Sequence, residues 1–156
     1  TLSLRLGNGR GNEIVDATIT VSALMDEVSP EGVHMRRFFD LKLVRSHNPV
    51  FALGWTVMHQ IDENSPLYGR KLSGPDSEVR LIAVSMTGHD GTYAATTYAR
   101  HLYLSENIRE GHRFVDMMSR LEDGRLIMDY SLFSETVPNE GTPPEEAPVA
   151  PMPSGA

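Results

Sequence analysis

Apolar and polar residues alternate with a period of two along most of the chain. In E-I-V-D-A-T-I-T-V-S-A, residues 13–23, Val15, Ala17, Ile19, Val21 and Ala23 fall on one side, and Asp16, Thr18, Thr20 and Ser22 on the other. That spacing predicts a strand with one dry and one wet face. M-D-E-V-S-P-E-G-V follows, and its Pro30 and Gly32 predict a turn or loop. Further strands are expected at residues 35–44, 50–59, 78–86, 93–104, 112–121 and 125–130. The runs 50–58 and 79–86 are apolar on both sides, which predicts cover on both faces. Between the last two strands, E-D-G-R predicts a two-residue hairpin loop, because Asp-Gly tolerates positive φ. No stretch has sustained helical periodicity with caps, and only residues 65–68 and 131–134 are short helix candidates. Seven or so short strands separated by turns predict an all-β fold, an immunoglobulin-like β-sandwich.

The pattern fails at the C-terminus. Residues 137–156 hold six of the ten prolines and no aromatic residue. Such a segment buries too little apolar surface to offset its ordering entropy, so it is expected to be a disordered tail. The folded domain is expected over residues 1–136.

The length of 156 residues suits one domain with a real core. No run approaches the roughly 20 apolar residues of a membrane span, and the N-terminus has no signal-peptide pattern. Absence of cysteine excludes disulfides, thiol catalysis and cysteine-ligated zinc. A net charge of −7 argues against a nucleic-acid partner and fits attraction of cations.

Candidate chemistry is sparse. The six histidines, at 34, 47, 59, 89, 101 and 112, form no metal-binding spacing, so no metal site is expected. There is no G-x-S-x-G nucleophile elbow, and R-L-G-N-G-R-G-N lacks the G-K-[S/T] of a phosphate loop and is expected to be a turn. The chain is therefore not expected to be an enzyme. Its arginines are expected mainly in ion pairs on solvated strand faces.

Six stretches stand out together: R-L-G-N (5–8), F-D-L-K-L-V-R-S (39–46), H-Q-I-D-E-N-S-P-L-Y-G (59–69), A-R-H-L-Y (99–103), G-H-R-F-V-D (111–116) and M-D-Y-S-L-F-S-E-T (128–136). In their order and spacing the chain resembles the C-terminal cytoplasmic domain of inward-rectifier potassium channels, the bacterial branch in particular, over about residues 1–136. The resemblance implies an immunoglobulin-like domain that forms a homotetramer below the pore of an integral membrane channel, on the cytoplasmic face of the bacterial inner membrane. The two transmembrane helices and the selectivity filter would precede Thr1. It also implies an acidic vestibule position at Asp16, which the alternation independently puts on the wet face.

By the same resemblance, Thr87, Gly88, His89, Asp90 and Gly91 occupy the G-loop, the hairpin tip that narrows the cytoplasmic pore. Gly88 and Gly91 are expected to supply the backbone freedom of the apex. Arg5, Arg10 and Arg100 match basic positions that couple anionic lipid to gating. No cofactor is implied; potassium passes through, with divalent cations and anionic lipid as candidate modulators. Three positions depart from the family pattern. Thr87 stands where animal members have a glutamate, Glu110 replaces an aromatic residue before G-H-R, and R-S-H-N (45–48) replaces acidic residues. Strong polyamine-dependent rectification is not expected of such a chain. The alternative from another class is a freestanding immunoglobulin-like protein-interaction module.

Overall fold

The computed structural model of the protein describes residues 1–140. Most of the proline-rich tail, from residue 141, lies outside the described residues. The chain divides into two compact units, Thr1–Glu110 and the segment from Gly111 onward.

The first unit contains seven strands: β1 (Leu2–Gly7), β2 (Ile14–Val28), β3 (His34–Asp40), β4 (His47–Phe51), β5 (Gly54–His59), β6 (Val79–Asp90) and β7 (Ala95–Leu104). They form a five-stranded sheet of order β3-β2-β6-β7, with β4 also paired to β2, and a two-stranded sheet β1-β5. All these pairings are antiparallel. Alternation along β2 puts Ala17, Ile19, Val21, Ala23 and Met25 in the core, where they meet Val79, Ile82, Val84 and Met86 of β6. Leu4, Trp55 and Val57 of the small sheet complete the same cluster with Phe51, Leu41 and Leu67. Each Val, Leu, Ile, Phe or Met among them contributes about 1.5–3 kcal/mol by leaving water, so the β-sandwich predicted by the alternation is also what holds this unit together.

Several expected elements differ in detail. Residues 50–59 are not one strand: β4 ends at Phe51, the chain bends at Ala52 and Leu53, and β5 begins at Gly54. This break lets one apolar run serve both sheets. The run 50–58 is not covered on both faces, since alternate residues of β5 are exposed, including Met58, and Val50 is exposed on β4, whereas in 79–86 the second face, at Leu81, Ala83 and Ser85, is half-buried. At the start of β2, Ile14 is buried and Val15 only partly so, because the alternation slips at Asp16. The helix candidate at residues 65–68 is a series of turns, closed by Ser65 N–H donating to the Asp62 carbonyl and Tyr68 N–H to that of Ser65.

In the second unit, β8 (His112–Phe114) pairs with β11 (Thr136–Pro138), and β9 (Met118–Arg120) with β10 (Leu126–Met128). The run 112–121 is thus two strands. The final strand carries Val137 and Pro138, two residues beyond the expected end of the folded domain. The E-D-G-R turn joins β9 to β10 with only Gly124 at positive φ (85°). Gly124 N–H donates to the Leu121 carbonyl and Leu121 N–H to that of Arg125. This is a turn followed by a left-handed glycine, one residue longer than the two-residue loop expected. The candidate at residues 131–134 is a short 3-10 turn at Tyr130–Leu132, capped by the Asp129 carboxylate accepting from Ser131 N–H. Among the described residues no helix is long and apolar enough to cross a membrane.

Candidate functional site

The residues singled out in β2 and β6 meet at one irregularity. Val15 pairs with His89 and Thr18 with Thr87, so Asp16 and Ala17 share the single opposing position, Gly88. That is a β-bulge, a device that re-aims a side chain. Asp16 adopts φ of 50°, a left-handed conformation that few residues other than glycine, asparagine and aspartate take up. Its side chain is 71% exposed, and Oδ1 lies 3.4 Å from Nε2 of His47 on the neighbouring strand. Asp16 is on the wet side, as expected, but as the bulged residue and not as a step in a regular alternation.

Gly88 has a different role from the one expected. It lies within β6 at no positive φ, and a Cβ there would meet Ile14 Cγ2 at 2.5 Å and both Ala17 Cα and Val15 O at 3.3 Å. The glycine makes room for the bulge. The turn itself lies at residues 91–94, beyond most of the 87–92 segment, and its left-handed residue is Ala94, φ 50°. Gly91 N–H donates to the Glu13 carbonyl.

Asp90 is buried. Oδ1 accepts from the N–H groups of Thr92 (2.8 Å) and Tyr93 (3.2 Å), and Oδ2 accepts from the Asn12 amide at 3.2 Å. Burial pushes its carboxyl pKa up, but these hydrogen bonds and the charge of Arg10 outweigh it and hold the group below its ordinary value. Asp90 fastens the turn, whereas Thr87 and His89 alternate with it on the exposed side of β6. The loop R-L-G-N-G-R-G-N supports this end: the buried Asn8 donates to the Asn12 and Phe51 carbonyls, and its Oδ1 accepts from Arg10 N–H. Asn8, Asn12 and His47 lie in stretches that the sequence brought out but were given no site role from it; the dense Asn and Gly content of residues 7–12 was the available signal for the first two.

The three candidate lipid-coupling arginines occupy different places. Arg5 is partly buried on β1 opposite Thr56, Arg10 is exposed in the following loop, and Arg100 is exposed on β7 of the other sheet, opposite Ser85. Arg36 and Arg37 pair with Asp26 and Glu27 across the β2–β3 hairpin, at 3.0 and 3.2 Å, as expected of solvated strand faces. Glu110, one of the departures from the family pattern, accepts from the N–H groups of Leu72 and Ser73 and from the Ser73 hydroxyl. His59 is buried with Nδ1 at 2.7 Å from the Lys42 carbonyl and Nε2 at 2.7 Å from the Ser65 hydroxyl. Among the described residues no three side chains are grouped to hold a metal ion.

Comparison with known proteins places this architecture. Residues 1–148 match the inward rectifier potassium channel C-terminal domain. The chain is 41% identical over 135 residues to the inward rectifier potassium channel Kirbac3.1 of Paramagnetospirillum magnetotacticum, covering 86% of this chain and 46% of that protein. It is 37% identical over 139 residues to ATP-sensitive inward rectifier potassium channel 11 of Cavia porcellus, covering 86% and 35%. With inward rectifier potassium channel 4 of Homo sapiens the identity is 32% over 146 residues, covering 91% and 33%. The chain therefore spans less than half the length of these relatives. The chain belongs to the inward rectifier potassium channel C-terminal domain family.

Proposed function

We propose that this chain is the cytoplasmic pore and gating domain of an inward-rectifier potassium channel, working as a homotetramer beneath a transmembrane pore encoded before Thr1. The observation that carries the reading furthest is the bulge at Asp16, which holds a carboxylate 71% exposed on a wet sheet face. Four such groups around an axis would concentrate cations by focusing the field. The domain has no catalytic task in this reading, and its place is the cytoplasmic face of the bacterial inner membrane.

The tip of the β6–β7 hairpin forms the narrow part of the cytoplasmic path. Thr87 and His89 are the exposed side chains near it, with Asp90 committed to the turn. Four copies of His89 would make passage sensitive to pH or to divalent cations. Arg5, Arg10 and Arg100 are the positions through which anionic lipid would bias gating, as three separate contacts and not one pocket. Conformational coupling would be a shift between rigid-body arrangements of the subunits.

The test is the coding sequence upstream of Thr1. Two apolar spans of about 20 residues each, flanking a T-V-G-Y-G-like filter, are expected. A start codon at or near Thr1 without such spans would instead leave a freestanding interaction module.

A further inference from the structure

The contact between Asp16 and His47 has a consequence for ion passage. His47 lies on β4, opposite Thr18 of β2, and is itself 53% exposed. Its Nε2 is 3.4 Å from Asp16 Oδ1, so a proton on the imidazole would set a positive charge directly against the carboxylate. The groups around the pair do not compete for it. On β6, uncharged Thr87 stands opposite Thr18 and His89 opposite Val15, and on β7 Tyr98 stands opposite Thr87. Asp90, opposite Ile14, is buried under its own hydrogen bonds. Arg45, next to β4, donates from Nε to the His47 carbonyl at 2.9 Å. Among the described ion pairs, Asp16 is the anion that His47 meets and His47 the cation that Asp16 meets.

We propose that His47 sets the effective charge of Asp16, so that the carboxylate draws cations fully when the imidazole is neutral and is cancelled when it is protonated. The proposal rests on the vestibule reading of Asp16 given above. Histidine changes charge between about pH 5 and 8, so the control would work across the physiological range. The β2–β4 register runs unbroken past Asp16, which puts its carboxylate on the same face as His47, opposite Thr18, and both groups stay open to solvent.

The test is single-channel potassium conductance of the full-length channel in lipid bilayers at low ionic strength, where screening is weakest. Wild-type conductance is expected to fall about twofold or more between about pH 8 and pH 5.5. His47→Gln should keep the high value at both pH values, whereas Asp16→Asn should already have the low value at about pH 8 and fall no less far below it at about pH 5.5, where the imidazolium has no carboxylate to cancel it. Both variants change exposed side chains, and conductance is read per open channel, so altered gating does not imitate the result. If Asp16→Asn lowers conductance but His47→Gln retains the pH step, or if His89→Ala removes it instead, this inference is overturned and the vestibule reading stands. If Asp16→Asn leaves conductance unchanged at high pH, both fail.

Discussion

A methyl group at position 88 has nowhere to go. Ile14 Cγ2 would stand 2.5 Å from it, and the other near atoms, Ala17 Cα and Val15 O, are backbone that cannot turn aside. Ile14 is β-branched and buried, so its χ1 has few alternatives. Gly88→Ala is expected to destabilise the domain by about 1–3 kcal/mol, the usual cost of forcing volume into a packed site. Gly91 is the internal control: the nearest atom to its Cβ would be Glu13 O at 3.8 Å, so Gly91→Ala should change stability by less than about 0.5 kcal/mol. Urea unfolding of the two variants separates close packing from turn flexibility. Equal losses would mean that position 88 serves the turn and not the bulge. The same reasoning explains why the wet face of Asp16 was legible and its bulge was not. Alternation reports which side a residue faces, whereas a bulge depends on what the opposing strand can admit.

At the scale of elements, the sheet switch between β4 and β5 depends on a side chain from a distant loop. Asn8 is buried; its amide reaches the Phe51 carbonyl at 3.2 Å, and its own N–H donates to the Leu53 carbonyl, so it ties both ends of the bend. Asn8→Ala removes the amide and leaves the Arg10 N–H and the Phe51 carbonyl short of a partner, which costs about 1–3 kcal/mol. Faster amide hydrogen exchange across residues 8–12 should accompany it; unchanged exchange would remove Asn8 from this role. The sequence showed the apolar run but not its break, because Ala52 and Leu53 continue the apolar pattern and only Gly54 punctuates it. The long strands β2 and β6 were legible because one face of each is buried over many residues. The short strands of the second unit were less so. Their residues are mostly exposed, and an exposed strand leaves little periodicity to read. At the site, the quoted motifs located the hairpin, but His47 was hidden because its contact with Asp16 is made across strands 31 positions apart.

At the scale of the whole molecule, charge and apolar surface make opposing demands on the proposed assembly. Each chain carries −7, so four chains bring −28 together and repel at long range. On the outward face of the large sheet, Phe38 pairs with Leu24, Leu24 with Leu81 and Leu81 with Leu104, a row of four apolar side chains across β3, β2, β6 and β7. Phe38 is 54% and Leu104 49% exposed in the single chain. Attraction between such surfaces does not depend on screening, whereas the repulsion does: the Debye length shrinks from about 30 Å at 0.01 M salt to about 8 Å at 0.15 M. Association of the isolated domain should therefore strengthen as salt rises across that range, as read by sedimentation velocity at constant protein concentration. An assembly held by ion pairs between subunits would weaken over the same range. A rise with salt would assign the free energy of assembly to apolar contact, leaving the exposed carboxylates of the sheet to act on the ions and not on the neighbouring subunit.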